Sequence, residues 1–176
     1  PRTQKPKPPP PPKKKKNKKE EVKRLIRLGW KVHCPPCTSG LGGGPSGGVL
    51  LASSRGMDTY DWKNLVQGRV CRWKVRTAAM GTFAMYSVYL HPGEWLSHRN
   101  RDILADIVND ITAHNLPFLL GGDWNMPPQL LSMAPWGALK GTIVASREPT
   151  FVQGQTKSTL DYFVLSDPMA CAVQSV

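Results

Sequence analysis

Residues 97–125 read SHRNRDILADIVNDITAHNLPFLLGGDWN, and this run decides the fold class. Isoleucine recurs every four residues, at Ile103, Ile107 and Ile111, with Leu104 and Val108 beside it. That spacing puts an apolar stripe along one side of a helix over Ser97 to Asn115. Asp102, Asp106 and Asp110 are expected to face elsewhere, and Asn115 and Pro117 to stop the helix. Phe118-Leu119-Leu120 follows as a buried strand and delivers Gly121-Gly122-Asp123-Trp124-Asn125. Strand ends suit chemistry, because rigid backbone holds a side chain while the adjoining loop admits substrate. Asp123 can accept a proton or face a metal, and Asn125 can donate to an anionic oxygen or accept from water. The same letters also read as an Asp in a glycine turn that bonds its own backbone. What surrounds them must decide.

Downstream, Leu160 to Leu165 reads as a final strand after a polar loop. By alternation Asp161 shares a face with Phe163 and Leu165, while Leu160, Tyr162 and Val164 line the other. Both faces are apolar, so Asp161 is expected to be a buried acid. It then needs a partner: a histidine, an arginine, a metal or backbone amides. Either a structural acid bonded to loop amides or an orienter of a catalytic histidine fits that place.

Upstream, Thr82 to Leu90 is a strand rich in apolar and aromatic residues, ending at the turn His91-Pro92-Gly93. Cys71, Trp73 and Val75 alternate with Arg72, Lys74 and Arg76, a half-exposed strand with a basic outer face. Gly48 to Ala52 and Trp30 to Val32 read as further strands. Glu21 to Leu28 reads as a short helix closed by Gly29. Strands on either side of a helix, with several more adjacent, predict a layered α/β or α+β domain.

Charge divides the chain. The whole carries a net +12, of which residues 1–28 hold +10 and residues 29–176 only +2. Residues 1–19 are proline and lysine rich, with Pro8 to Pro12 continuous and Lys13 to Lys16 following. Such a segment cannot bury apolar surface and is expected to be a disordered tail. It reads as a nuclear-localisation or nucleic-acid-binding arm, or as a solubilising linker. A start at Pro1 rather than Met points to a fragment or a processed product.

No apolar run reaches the roughly 18 residues of a membrane span. Four cysteines without a secretory signal point to a reduced, intracellular chain. Cys34-Pro35-Pro36-Cys37 has redox or zinc-knuckle spacing. Zinc wants four ligands, and only His33 adjoins the pair. A redox pair wants to open a helix, whereas a glycine loop follows. That loop, Gly40 to Gly48, has six glycines but lacks the Gly-Lys-Ser/Thr ending that a P-loop carries.

Four segments together resemble the endonuclease/exonuclease/phosphatase superfamily, which includes abasic-site nucleases and the endonucleases of non-LTR retrotransposons. Gly47-Gly48-Val49-Leu50-Leu51 is similar to the family's "GGVAIL" strand. Val88-Tyr89-Leu90-His91-Pro92 looks like its "VYxPP" strand end. Gly122-Asp123-Trp124-Asn125 matches "GDFN", and Ser158 to Ser166 matches "S.IDYILVS". The resemblance implies a four-layer sandwich of two β-sheets flanked by helices. It also implies Mg²⁺ (or Mn²⁺) dependent hydrolysis of phosphodiesters, with nucleic acid as the partner. Asp123 would position or deprotonate the attacking water. Asn125 would bond a phosphate oxygen and, with Asp123, face the metal. Tyr89 would contact the phosphate, and Asp161 would orient the catalytic histidine.

Two elements of the family pattern are not in this sequence. The "QE" motif with the main metal-ligand Glu is not upstream of Gly29, where Glu20 and Glu21 lack that context. "SDH", with the catalytic histidine, does not occur before Val176, and none of His33, His91, His98 and His114 fits its place. The expectation is therefore a partial domain over 20–176, incomplete at both ends, with weak or no catalysis. The alternatives are a nucleic-acid-binding remnant that acts through its tail, and a phosphatase of the same superfamily.

Overall fold

A computed structural model of the protein describes residues 18–39, 45–134, 141–171 and 173. The expectations for residues 1–17, and for 40–44 of the glycine loop, lie outside the described residues. In chain order the elements are α1 (Lys18–Arg27), β1 (Lys31–His33), β2 (Thr38–Ser39), β3 (Pro45–Ser46), β4 (Leu51–Ser53), β5 (Asp58–Val66), β6 (Val70–Thr77) and β7 (Gly81–Tyr89). Then follow α2 (His98–His114), β8 (Phe118–Asp123), α3 (Pro128–Leu131), β9 (Gly141–Val144), β10 (Phe151–Gln153), β11 (Thr156–Ser158), β12 (Asp161–Ser166) and α4 (Asp167–Ala170). The fold is mixed α/β around a six-stranded sheet of order β5-β6-β7-β8-β12-β9.

Within that sheet β7 and β8 run parallel, and the other neighbours run antiparallel. A parallel pair needs a long crossover, and α2 supplies it. Ser97 caps α2 by accepting from the Asn100 N–H. Asn115 closes it in the left-handed region (φ 46°), where asparagine is tolerated. Ile103, Leu104, Ile107 and Ile111 are buried against Ala84, Tyr86, Val88, Phe118, Leu120, Tyr162 and Val164. Each such side chain contributes roughly 1.5–3 kcal/mol on full burial.

The opposite face of the sheet is covered differently. The β1–β4 ribbon lies over its β6 side, where Val49 and Leu51 pack on Cys71 and Trp73. α1 leads into this ribbon and takes in Lys18 and Lys19, which the sequence assigned to the tail. Glu20–Lys23 and Glu21–Arg24 pairs three residues apart support its start. Gly29 ends it at φ 87°, with the Gly29 N–H on the Ile26 carbonyl and the Trp30 N–H on the Leu25 carbonyl.

The structure corrects two expectations on the helix-covered face. Arg72 is not on a solvated basic face but is 1% exposed. Asp110 does not face away from the core but is 7% exposed. Three residues beyond Ile107, it lies on the same side of the helix. The two form an ion pair, Nε to Oδ2 at 2.9 Å, and Tyr86 Oη donates to Asp110 Oδ2 at 2.9 Å. A bulge in β5 brings Asp61 to Arg72 as well, at 3.2 Å. No residue near either partner in sequence announces this pairing. The strand Gly48 to Ala52 is also shorter than expected, beginning at Leu51.

Candidate active site

The two glycines of Gly121-Gly122-Asp123 are not a turn. They belong to β8, and their role is close approach. A Cβ on Gly122 would run into the Val88 backbone of β7, and one on Gly121 would meet the Phe163 ring of β12 at 2.8 Å. With side chains removed there, β8 fits between its neighbours and carries Asp123 to the sheet end.

That end brings three of the expected site residues into one row. Tyr89 of β7 is the direct partner of Asp123 in the parallel ladder. Asp161 of β12 is the direct partner of Asp123 in the antiparallel one. By alternation all three lie on the face turned away from α2. Neighbouring strands are spaced about 4.8 Å apart, so the row spans roughly 10 Å from Tyr89 to Asp161.

Asn125 joins the row from the loop. Its backbone is left-handed (φ 50°), a conformation a non-glycine residue adopts at a cost. Its Nδ2 donates to the Leu90 carbonyl at 2.9 Å, and its N–H donates to Asp123 Oδ1 at 3.1 Å. The local bond expected of an Asp in a turn is thus present, on a side chain that also stands in the row. Trp124 between them is fully buried. Its N–H reaches the Leu160 carbonyl, its Nε1 the Tyr162 carbonyl at 2.9 Å, and its ring stacks on Tyr162. This anchor fixes the loop that presents Asp123 and Asn125.

Asp161 departs from expectation. It is exposed, not buried. It opens β12 on the face turned from α2, where Phe163 is also 44% exposed, so an apolar neighbour there does not imply a covered face. Water can solvate its carboxylate, and the buried partner the sequence called for is not required. Its N–H is held by Thr150 Oγ1 at 3.0 Å. Among the described residues no histidine bonds to it. His33 meets Asn64, His98 meets Asp102, and His114 meets Asp110.

Asp123 is held above the usual carboxylate range. Burial is the main cause and the Asp161 charge adds to it, while the bonds from Asn125 oppose. A raised carboxylate with one lone pair engaged and another open is better matched to taking a proton near neutral pH than a surface aspartate. His91, just beyond Tyr89, is pushed below its ordinary value by burial and then by Arg69 and Arg99, with Glu94 opposing.

Two residues escaped the sequence reading. Asn100 of α2, fully buried, clasps the loop after β7: its Oδ1 accepts from the His91 N–H, and its Nδ2 donates to the His91 and Trp95 carbonyls. Arg69, 5% exposed, lies with its guanidinium 5.0 Å from the Tyr89 ring centre. No sequence signal marks Asn100. For Arg69 the only hint is its place in the turn Gly68-Arg69 between two strands.

The donors open to a hard cation are the Asp123 and Asp161 carboxylates and the Asn125 Oδ1. Among the described residues no group of three or more His, Cys, Asp or Glu could hold a metal. Two carboxylates and an amide oxygen fit a Mg²⁺ or Mn²⁺ that keeps several waters, not a closed protein cage. Cys34 and Cys37 are each partly buried, and no such group includes them. Among the described residues no helix is long and apolar enough to cross a membrane.

The chain belongs to the endonuclease/exonuclease/phosphatase family, whose sequence profile matches residues 9–176. Among solved structures it is similar to the human nocturnin catalytic domain with bound sulfate (18% identity, TM-score 0.60), covering 82% of this chain and 63% of that one. It is also similar to the endonuclease domain of TRAS1, a telomere-specific non-LTR retrotransposon (17% identity, TM-score 0.61, 86% and 79% covered). A third likeness is to ANGEL2, a 2′,3′-cyclic phosphatase (12% identity, TM-score 0.64, 84% and 65% covered). The chain thus spans less than two thirds of the length of the first of these. No curated protein sequence matches it. The family is generally dependent on a divalent metal.

Proposed function

We propose that this domain is built for metal-dependent hydrolysis of a phosphodiester in nucleic acid. The observation that carries the reading is the row Tyr89–Asp123–Asp161 on adjacent strands, with Asn125 bonded to Asp123. In-line displacement at phosphorus is mostly positioning and charge neutralisation. A bound Mg²⁺ or Mn²⁺ would supply Lewis-acid polarisation of the phosphate. Asp123 holds the attacking water and takes its proton. Asn125 bonds a phosphate oxygen and Tyr89 bonds another. Burial first and the neighbouring Asp161 second hold the Asp123 carboxyl above its ordinary range. Asp123 and the Asn125 Oδ1, with Asp161 beside them, would hold the cation.

Nucleic acid is the favoured substrate class because residues 1–28 carry +10, which tracks a phosphate backbone through counterion release. The same run supports a nuclear address.

Among the described residues no histidine bonds Asp161, so turnover by these residues alone is expected to be slow. A general acid contributes roughly 10²–10⁴-fold. The test is Mg²⁺ titration by calorimetry together with nicking of supercoiled plasmid. Wild type should bind Mg²⁺ and nick slowly, with both lost in Asp123→Ala. Nicking or Mg²⁺ binding that is unchanged in Asp123→Ala would refute the assignment. If deleting residues 1–19 leaves salt-sensitive DNA binding intact, the tail's role fails separately.

A further inference from the structure

Arg69 is a buried cation that, among the described residues, has no ion-pair partner; Tyr89 and then Glu94 are the groups that favour its charge. Its Nη2 donates to Ser46 Oγ at 2.7 Å, but its Nη1 is sealed from solvent and has no hydrogen-bond partner. Among the described residues no carboxylate lies within ion-pair distance of it. The carboxylate that acts on it from further off, Glu94, is already engaged by Arg99 at 2.8 Å and by Ser97 Oγ at 3.0 Å. Arg72, three residues on, is as deeply buried, yet it meets Asp110 and Asp61. A guanidinium stays protonated in proteins, so Arg69 brings an uncompensated positive charge to the Tyr89 end of the row.

The surroundings are shaped to keep it there. The Gly48 N–H bonds the Gly68 carbonyl at 2.8 Å. A Cβ on Gly47 would collide with that same carbonyl and sit 3.4 Å from Arg69 Cζ. Gly47 itself has φ 80°. Glycine at this place lets the loop close over the guanidinium. The Tyr89 ring forms the other wall, and the Tyr89 N–H is tied to the Arg69 carbonyl at 2.8 Å. Water is displaced from around the charge, so its field is weakly screened and reaches the row.

We propose that Arg69 is a substrate-positioning residue, whose unpaired charge makes the Tyr89 end of the row the phosphate end and whose stacking sets the Tyr89 ring. This rests on the hydrolase reading above for its purpose, but the attraction for a phosphate group does not depend on catalysis or on metal.

The experiment separates the two. Inorganic phosphate is titrated into the 176-residue protein in EDTA at low chloride, followed by ³¹P NMR line width, with urea unfolding of each variant alongside. Wild type should bind phosphate saturably. Arg69→Met, which keeps the bulk and removes the charge, should weaken binding roughly tenfold or more. Its unfolding midpoint should hold or rise, because a buried unpaired charge has been removed. Arg69→Lys should recover most of the affinity. A residue that only holds the loop would show the opposite: a lower midpoint in Arg69→Met with phosphate affinity unchanged. That result, or a wild-type protein blind to phosphate, overturns the inference. Absence of Mg²⁺-dependent nicking with intact phosphate binding overturns the hydrolase reading instead and leaves the phosphate site standing.

Discussion

Two arginines at the start of one strand divide the molecule. Arg72 points to the face covered by α2, where Asp110, Asp61 and Tyr86 give it partners. Arg69 lies by the Tyr89 ring on the opposite face, where one nitrogen bonds Ser46 and another bonds nothing. The same contrast holds among the acids. Asp110 is buried and met by Arg72, Tyr86 and Lys63, whereas Asp123 is half-buried beside a second carboxylate and bonds only its own loop. On one face the charges are matched to one another, although Arg72 Nε lies against Asp110 without hydrogen-bond geometry. On the other they stay available, at a cost in stability. That asymmetry is what the proposed site predicts of its face.

The contrast predicts opposite responses to the same kind of substitution. Asp110→Ala leaves Arg72 buried with only the more exposed Asp61 opposite. Breaking a buried pair by removing one partner costs about 3–5 kcal/mol. Urea unfolding should show this loss. Asp123→Ala should cost under about 1 kcal/mol, since no cation opposes the carboxylate it removes. Equal losses in the two variants would break the comparison.

Tyr86→Phe asks how far the matched face depends on each bond. The Tyr86 hydroxyl is held protonated, by burial first and then by the Asp110 charge, and it donates to a carboxylate. A hydrogen bond to a charged group is worth about 1.5–3 kcal/mol. Arg72 remains on Asp110 in this variant, so the loss should fall at the low end and below that of Asp110→Ala. A larger effect would mean that the hydroxyl, not the ion pair, organises the network.

How far sequence could foresee this depends on the range of the interaction. The helix α2 and strands β7, β8 and β12 are legible because apolar period reports local geometry. The isoleucines of α2 recur every four residues, and Gly29 and Asn115 mark helix ends by their own backbone. The site row is legible in part: Tyr89, Asp123 and Asp161 stand at strand ends, although which strands pair is a property of the sheet. What fails is solvent exposure. Alternation assigns Arg72 to water, yet a partner 38 positions away in Asp110 overrules it. The same rule buries Asp161 because Phe163 and Leu165 share its face, and that face is partly open. Arg69 escapes because a lone arginine after a glycine carries no period at all.

The finest test of the comparison is the pH dependence of stability at Asp123. Its folded carboxyl sits above the usual range, chiefly through burial, so the unfolded chain ionises first as pH rises. The native state then binds more protons than the unfolded state, and stability falls through that window. It is lost between the ordinary aspartate range and the raised folded value, and is level above it. Asp123→Asn cannot ionise, so it should remove this loss: wild type and variant should have matching unfolding midpoints near pH 3 and diverge by pH 7, with the variant the more stable. Asp110→Asn provides the counterpart, less stable than wild type at pH 7, because there the ionised carboxylate is the partner a buried arginine needs. If Asp123→Asn destabilises at pH 7, Asp123 has a cation opposite it, and the available face is not available after all.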